Sequence, residues 1–279
     1  MATEHSSSGD PARTLELLWR EPGPADSRRG PRPGLSVERV VAAAIVLADS
    51  GGLRSVTMRG VAQVLAVVPM SLYTYVPGKA ELLDLMLDTV YRQMPRPDLS
   101  GQPWRERLTA VAHDNRKLFS LHPWVAEVST SRPPLGPGLM AKYEYELQAF
   151  EDLHLDDVEM DAALTFLLGF VQAVARSAAE AAAARQGSAM SEEQWWAANA
   201  PLLARVFDEA KYPTASRVGA AAGAAHGAAY DPEHAYTFGL QRVLDGLGAL
   251  IDTAATSHPT HGPHEIRATR RATNPGCPA

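Results

Sequence analysis

SVTMRGVAQVLAVVPMSLYTYVPGK, residues 55–79, decides the fold. Its first half sets Val61, Ala62, Leu65 and Val67 or Val68 on one stripe at helical spacing. Ser55 or Thr57 suits the start of that helix, because a hydroxyl there accepts from an otherwise unpaired amide. Pro69 marks a second helix, since a first helical turn has no use for the amide hydrogen that proline lacks. LAVVP therefore reads as helix end, tight turn and helix start. In the second helix Leu72 and Val76 stand four apart and predict its inward side, which turns Ser71, Tyr73 and Tyr75 outward. Two short helices meeting at a break, the second flanked by hydroxyls and cations, present a reading helix of the size that enters a major groove.

Outward from this centre the helical signal continues in both directions. Ser36 predicts the cap of a helix in which Val37, Val40, Val41, Ala44, Ile45 and Ala48 keep helical spacing, ended by Gly51-Gly52. A further helix from about Lys79 to Met94 turns Leu82, Leu83, Met86, Leu87 and Val90 inward, and Pro95 and Pro97 stop it. Helical patterns then run over 103–120, 122–129, 136–153, 157–186, 191–210 and 232–255, with no strand pattern between them. The fold class is all-α: a three-helix helix-turn-helix unit over 36–95, then a larger helical unit over 96–256. Residues 1–35 read as a flexible arm, with an apolar island at Leu15, Leu18 and Trp19 that suits docking on a neighbouring subunit, packing on its own chain or staying loose. GAAAGAAHGAA, residues 219–229, reads as a mobile loop, and 257–279 as a disordered tail.

The net charge is −6, yet it is unevenly spread. From Arg28 to Lys79 there are seven basic residues (Arg28, Arg29, Arg32, Arg39, Arg54, Arg59, Lys79) against Glu38 and Asp49, so that segment is +5 and the rest −11. A polyanion is drawn to one end of such a molecule and repelled by the other. Arg28, Arg29 and Arg32 suit either a basic arm along DNA or a solvated linker. No run approaches 18 strongly apolar residues, and the N-terminus has no basic start or apolar core of a leader, so a cytoplasmic protein without a membrane partner is expected. The single Cys277 leaves no internal disulfide or cysteine cluster. His258, His261 and His264 recur every third residue, but Pro259 and Pro263 oppose an ordered metal face. No metal, cofactor or catalytic residue is expected: phosphate-cradling glycine loops, H-E-x-x-H and G-x-S-x-G are all missing.

Thr57, Arg59, Ala62, Leu65, Val67, Leu72, Tyr73, Val76, Lys79, Leu82 and Leu83 follow the pattern TxRxxAxxLxVxxxxLYxxVxxKxxLL. That pattern resembles the DNA-binding domain of the tetracycline-repressor (TetR) family, and the likeness runs without a gap over about residues 36–94. One departure is Ala66, where the family commonly has glycine in the turn; another is Gly60 inside the first helix, at about 1 kcal/mol relative to alanine. The resemblance implies that Arg59, Met70 and Ser71 approach base edges, and that Thr57, Tyr73, Tyr75 and Lys79 hold phosphates. Read as plain residues, the tyrosines suit a partly buried core and Arg59 a solvated surface.

More weakly, the remainder resembles the effector-binding and dimerisation domain of the branch around the tetracycline repressor, most clearly in YTFGLQRVLDGLGALID, residues 236–252. This implies a homodimer built from the helix near 157–186, through Phe166 and Phe170, and from the last helix, through Phe238, Val243, Leu247, Leu250 and Ile251. The same stripes also suit a monomer core. Candidate pocket groups are Trp104, His113, Asn115, Phe119, His122, Trp124, Arg132, Met140, Tyr143, Phe166 and Phe170. Ser131-Arg132-Pro133 aligns with the repressor's TRP tripeptide, which sets Val128 where the archetype has its metal-binding histidine. The expected effector is therefore a small apolar or aromatic molecule with no required metal. The functional reading is a repressor released by an effector from a pseudo-palindromic double-stranded operator; an activator or architectural binder with the same head, or a helical enzyme or carrier, are the alternatives.

Overall fold

A computed structural model describes residues 5–21, 34–128, 132–187, 190–227 and 230–257. Twelve α-helices and one 3-10 turn account for their regular structure, so the described residues are all-α. The basic arm residues Arg28, Arg29 and Arg32 and the tail with its histidines and Cys277 lie outside the described residues.

In the head, α2 (Val37–Gly51) starts at Ser36, whose hydroxyl accepts from the Arg39 amide. It ends at Gly52, whose φ of 70° suits glycine. The short turn Leu53–Ser55 leads into α3 (Met58–Leu65). Thr57 is the cap of α3, its hydroxyl accepting from Gly60 N at 2.9 Å, while the Ser55 hydroxyl donates to the carbonyls of Leu47 and Gly52. Gly60 stands where a Cβ would press on the capping hydroxyl and on the Ser55 carbonyl, so its absence of side chain permits the cap.

Helix α3 closes through paired bonds, Ala66 N to Gln63 O and Val67 N to Ala62 O, with Ala66 in the left-handed region at φ 55° and ψ 43°. The next helix, α4 (Pro69–Leu72), is one turn long, and Tyr73 to Tyr75 continue as a turn closed by the Tyr75 and Val76 amides on the Leu72 carbonyl. The reading element is thus shorter than the spacing suggested. Leu72 and Val76 are fully buried, as their spacing predicts.

Nine helices surround or follow α5 (Lys79–Gln93): α6 (Trp104–Leu121), α7 (Pro123–Glu127), α8 (Pro137–Gln148), α9 (Asp157–Gly187), α10 (Glu192–Val206), α11 (Pro213–His226) and α12 (Pro232–Ser257) behind it, with α1 (Pro11–Leu18) and α2 in front. Trp124, Val125 and Val128 join the core of the head, whereas α6, α9 and α12 close over a second apolar core that includes Leu108, Leu167 and Leu244. Residues 219–226, expected as part of a mobile loop, belong to α11: alanine's helix propensity outweighs two interior glycines. The stretch Asp157–Arg185 is long and apolar enough to cross a membrane, contrary to the expectation from uninterrupted runs. Its small residues raise the average, and it packs on α6, α7 and α12.

The N-terminal arm, expected to be flexible, carries a helix, α1, over Pro11–Leu18 of its described residues. Asp10 caps α1 by accepting from the Arg13 amide, and Leu17 and Leu18 are buried in the core of the head. Glu81 accepts from the Asp10 amide and Asp84 from the Ser7 amide at 2.8 Å. On the next turn of α5, Asp88 accepts from the Leu139 amide at 3.0 Å, capping the start of α8 from across the helix interface. Gly136 and Gly138 make that approach possible, because a Cβ at Gly138 would collide with the Asp88 carbonyl.

Asp84 is fully buried and its second oxygen has no hydrogen-bond partner. Burial lifts its pKa from 3.8 to about 6 against the opposing Ser7 amide, with the Glu81 charge adding to the rise. The folded chain thus holds this proton more tightly than the unfolded one, so stability falls as pH climbs from about 4 to about 6. Asp84→Asn keeps an acceptor for Ser7; it is expected to stabilise the chain by on the order of 2 kcal/mol near neutral pH, and progressively less toward pH 4. Urea denaturation at both pH values measures this. Ala66→Gly relieves the left-handed strain at the turn and is expected to add about 1 kcal/mol, read as a higher urea midpoint with unchanged slope.

Candidate nucleic-acid interface

Four of the expected contact residues are exposed. Met70 is 74% exposed and Tyr73 44% exposed, and Arg59 and Thr57 are also exposed. Ser71 and Lys79 are half-buried, Lys79 as the first residue of α5. Tyr75, expected to turn outward, is half-buried and packs on the core of the head, because α4 ends too early to carry it round to the outer face. The Thr57 hydroxyl accepts from Gly60 and retains its own hydrogen for an acceptor outside. Val64 and Val68, which sequence reasoning did not select as contact residues, are also exposed.

The acidic residues of this region are engaged elsewhere. Glu38 takes two bonds from the Arg20 guanidinium, and Asp49 Oδ1 lies 2.8 Å from both Trp124 Nε1 and His122 Nδ1. Arg54 and Arg59 are exposed just before and at the start of α3, and Lys79 is half-buried at the N-terminus of α5, whose dipole adds partial positive charge there. Such a surface attracts phosphate.

The eleven candidate pocket residues do not converge. Trp124 is buried against the head, and His122 reaches Asp49 beside it. Met140 and Tyr143 lie on the outer face of α8, where the Tyr143 hydroxyl donates to Asp161. His113 and Phe170 flank Tyr236 from opposite elements, Trp104 packs under Gly248, Phe119 lies between the two cores, Arg132 is exposed and so is Phe166. An open groove of about 340 Å³ between α6 and α12 collects His113 alone of the set.

Asn115 marks the polar centre that the others miss. Its amide donates to Glu146, which also accepts two bonds from Lys142 Nζ, at 2.6 and 2.7 Å; all three side chains are buried. The Lys142 ammonium lies 5.6 Å from the centre of the Tyr91 ring. Burial, then the charges of Glu146 and Asp88, push the Tyr91 hydroxyl above its ordinary pKa. Lys142 and Glu146 are four residues apart, the spacing of a solvated helix pair, so the sequence offers no signal that this pair is internal.

Among the dimer candidates, Val243, Leu247 and Ile251 are buried in the chain's own second core, and Leu250 is half-buried. That corrects their placement: they face α6 and α9. Phe170 is also turned inward, close over Gly239 of α12. Phe166 and Phe238 are 57% and 56% exposed, and so remain available to a second copy.

Residues 96–251 match the family model described as "Tetracyclin repressor-like, C-terminal domain". The chain is 42% identical over 251 residues to the HTH-type transcriptional repressor DrrR1 of Streptomyces coeruleorubidus, covering 90% of each chain. Apo ActR from Streptomyces coelicolor superposes with a TM-score of 0.64 at 26% identity, over 79% of this chain and 98% of that one. ActR in complex with actinorhodin superposes with a TM-score of 0.65 at 25% identity, over 78% and 97%. With a helix-turn-helix head in front of a matching effector-type domain, the chain belongs to the tetracycline-repressor family of transcriptional regulators, proteins that bind DNA, dimerise and take small-molecule ligands.

Proposed function

We propose that this chain is a cytoplasmic homodimeric repressor that holds a pseudo-palindromic operator and releases it on binding a small aromatic or apolar effector. The observation that carries this reading is the one-turn helix α4, set on the outer surface with Met70 and Tyr73 exposed, beside Arg59 and the positive end of α5. Residues 36–95 act as the reading unit and 96–256 as the effector and dimer unit. Arg59, Met70 and Ser71 face base edges; Thr57, Tyr73 and Lys79 hold phosphates, and Tyr75 assists from its half-buried position. Two such heads about 34 Å apart fit successive major grooves, which demands a two-fold site. Phe166 and Phe238, on α9 and α12, supply the apolar part of the dimer contact.

Effector recognition is assigned to the apolar helix faces of this unit with their few polar groups, within which Asn115, Lys142 and Glu146 bond to one another. The actinorhodin held by ActR supports an aromatic ligand class. No step of this reading needs a bound metal.

Selection of bound fragments from genomic DNA is expected to return a palindrome. On that site Tyr73→Phe and Lys79→Ala should each weaken binding about tenfold for all sequences alike and flatten the salt slope by about one, whereas Arg59→Ala relaxes base preference. Equal affinity of the wild-type chain for selected and scrambled DNA would defeat the repressor reading. Actinorhodin is the first probe of release: a compound of the right class should lower operator affinity at least about fivefold. A panel of planar aromatic compounds that leaves operator affinity unchanged throughout rejects the effector assignment.

A further inference from the structure

We infer that residues 5–20 are a positioning strap that fixes the reading head to the effector domain, so that the two heads of the dimer are held at operator spacing. The inference rests on the two-headed reading above and concerns residues that make no expected contact with DNA.

The strap touches three parts of the fold. Arg20 bonds to Glu38 of α2, at 2.6 and 3.1 Å, and to the Leu17 carbonyl, tying the end of α1 to the head. Asp10 and Ser7 donate their amides to Glu81 and Asp84 of α5, while Leu17 and Leu18 fill the groove above them at 6% and 2% exposure. On the far side, the Ser6 hydroxyl donates to the Arg132 carbonyl at 2.7 Å, the Ser7 hydroxyl to the Pro133 carbonyl at 3.0 Å, and Trp19 Nε1 to the Leu135 carbonyl at 2.7 Å. Residues 132–135 lead directly into α8 of the effector domain. One short segment therefore spans head, connecting helix and effector domain, with Leu18 lodged where Gly136 leaves room.

The physical consequence concerns geometry more than contact. When one head is bound, the second meets its half-site at an effective concentration set by how narrowly its position is restricted. A head free to pivot about α5 spreads that concentration over more positions. The strap removes part of this freedom, so it strengthens binding to a full palindrome and leaves each head's own affinity unchanged.

The test uses the full chain and two DNAs, a selected palindrome and the same duplex with one arm scrambled. Leu17→Ala/Leu18→Ala should lose about tenfold in affinity for the palindrome, and Trp19→Phe, which removes one exposed hydrogen bond and spares the fold, about threefold. Affinity for the single arm and its salt slope should be unchanged, with light scattering confirming a dimer. Equal losses on both DNAs would mean that the strap contacts DNA, and a lowered melting temperature with an unchanged ratio of the two affinities would mean that it serves stability alone; either overturns the inference. A wild-type chain that binds the two DNAs equally overturns the two-headed reading itself, and the strap with it. Should the double variant fail to fold, Trp19→Phe decides.

Discussion

Helix α5 is buried on every side, and the rest of the architecture follows from that constraint. Ten of its fifteen residues are buried, among them the acidic Glu81, Asp84 and Asp88 as well as the leucines. An isolated carboxylate in such a place is costly, so each needs a donor from whatever covers it. The covers are α1 with its preceding loop and the start of α8, both of which offer backbone amides with no partner inside their own helices. Burial of the shaft, capping of α8 and docking of the N-terminal segment are therefore one arrangement, and the head cannot shift along α5 without disturbing all three.

The head was largely legible because local chemistry fixes it. Ser36 and Thr57 cap as hydroxyls do, Pro69 opens a helical turn, and Leu72 and Val76 are buried at the spacing that announced them. Tyr75 was misplaced because its direction depends on where α4 ends, which the left-handed Ala66 and a single helical turn determine together. The N-terminal segment was illegible for a different reason. Its apolar residues Leu15, Leu18 and Trp19 were visible, but the core that takes Leu18 and the carbonyl that takes Trp19 include partners more than sixty residues away, on α5 and at Leu135.

The effector domain resisted reading residue by residue because helix periodicity identifies a buried face without saying what faces it. Val243, Leu247 and Ile251 form a stripe as suitable for a partner as for α9, and α9 won. The converse error hid Lys142 and Glu146, which look like a surface pair and lie inside. A buried pair of this kind contributes little net stability against its desolvation cost. What it does fix is position: a cation, a carboxylate and an amide bond α6 to α8, and the cation lies over Tyr91 of α5.

Charge shows how little a total reveals about a surface. The chain is acidic overall, and between residues 34 and 79 Glu38 and Asp49 would offset half of the four cations if all six charges were equally presented. They are not. Glu38 is drawn to Arg20 and Asp49 to Trp124 and His122, both on the side where the head meets other parts of the chain. The same contacts that anchor the head thereby engage its two carboxylates away from α3 and α4. Anchoring and charge placement thus share residues: Glu38 and Asp49 serve the joints of the head with the rest of the chain.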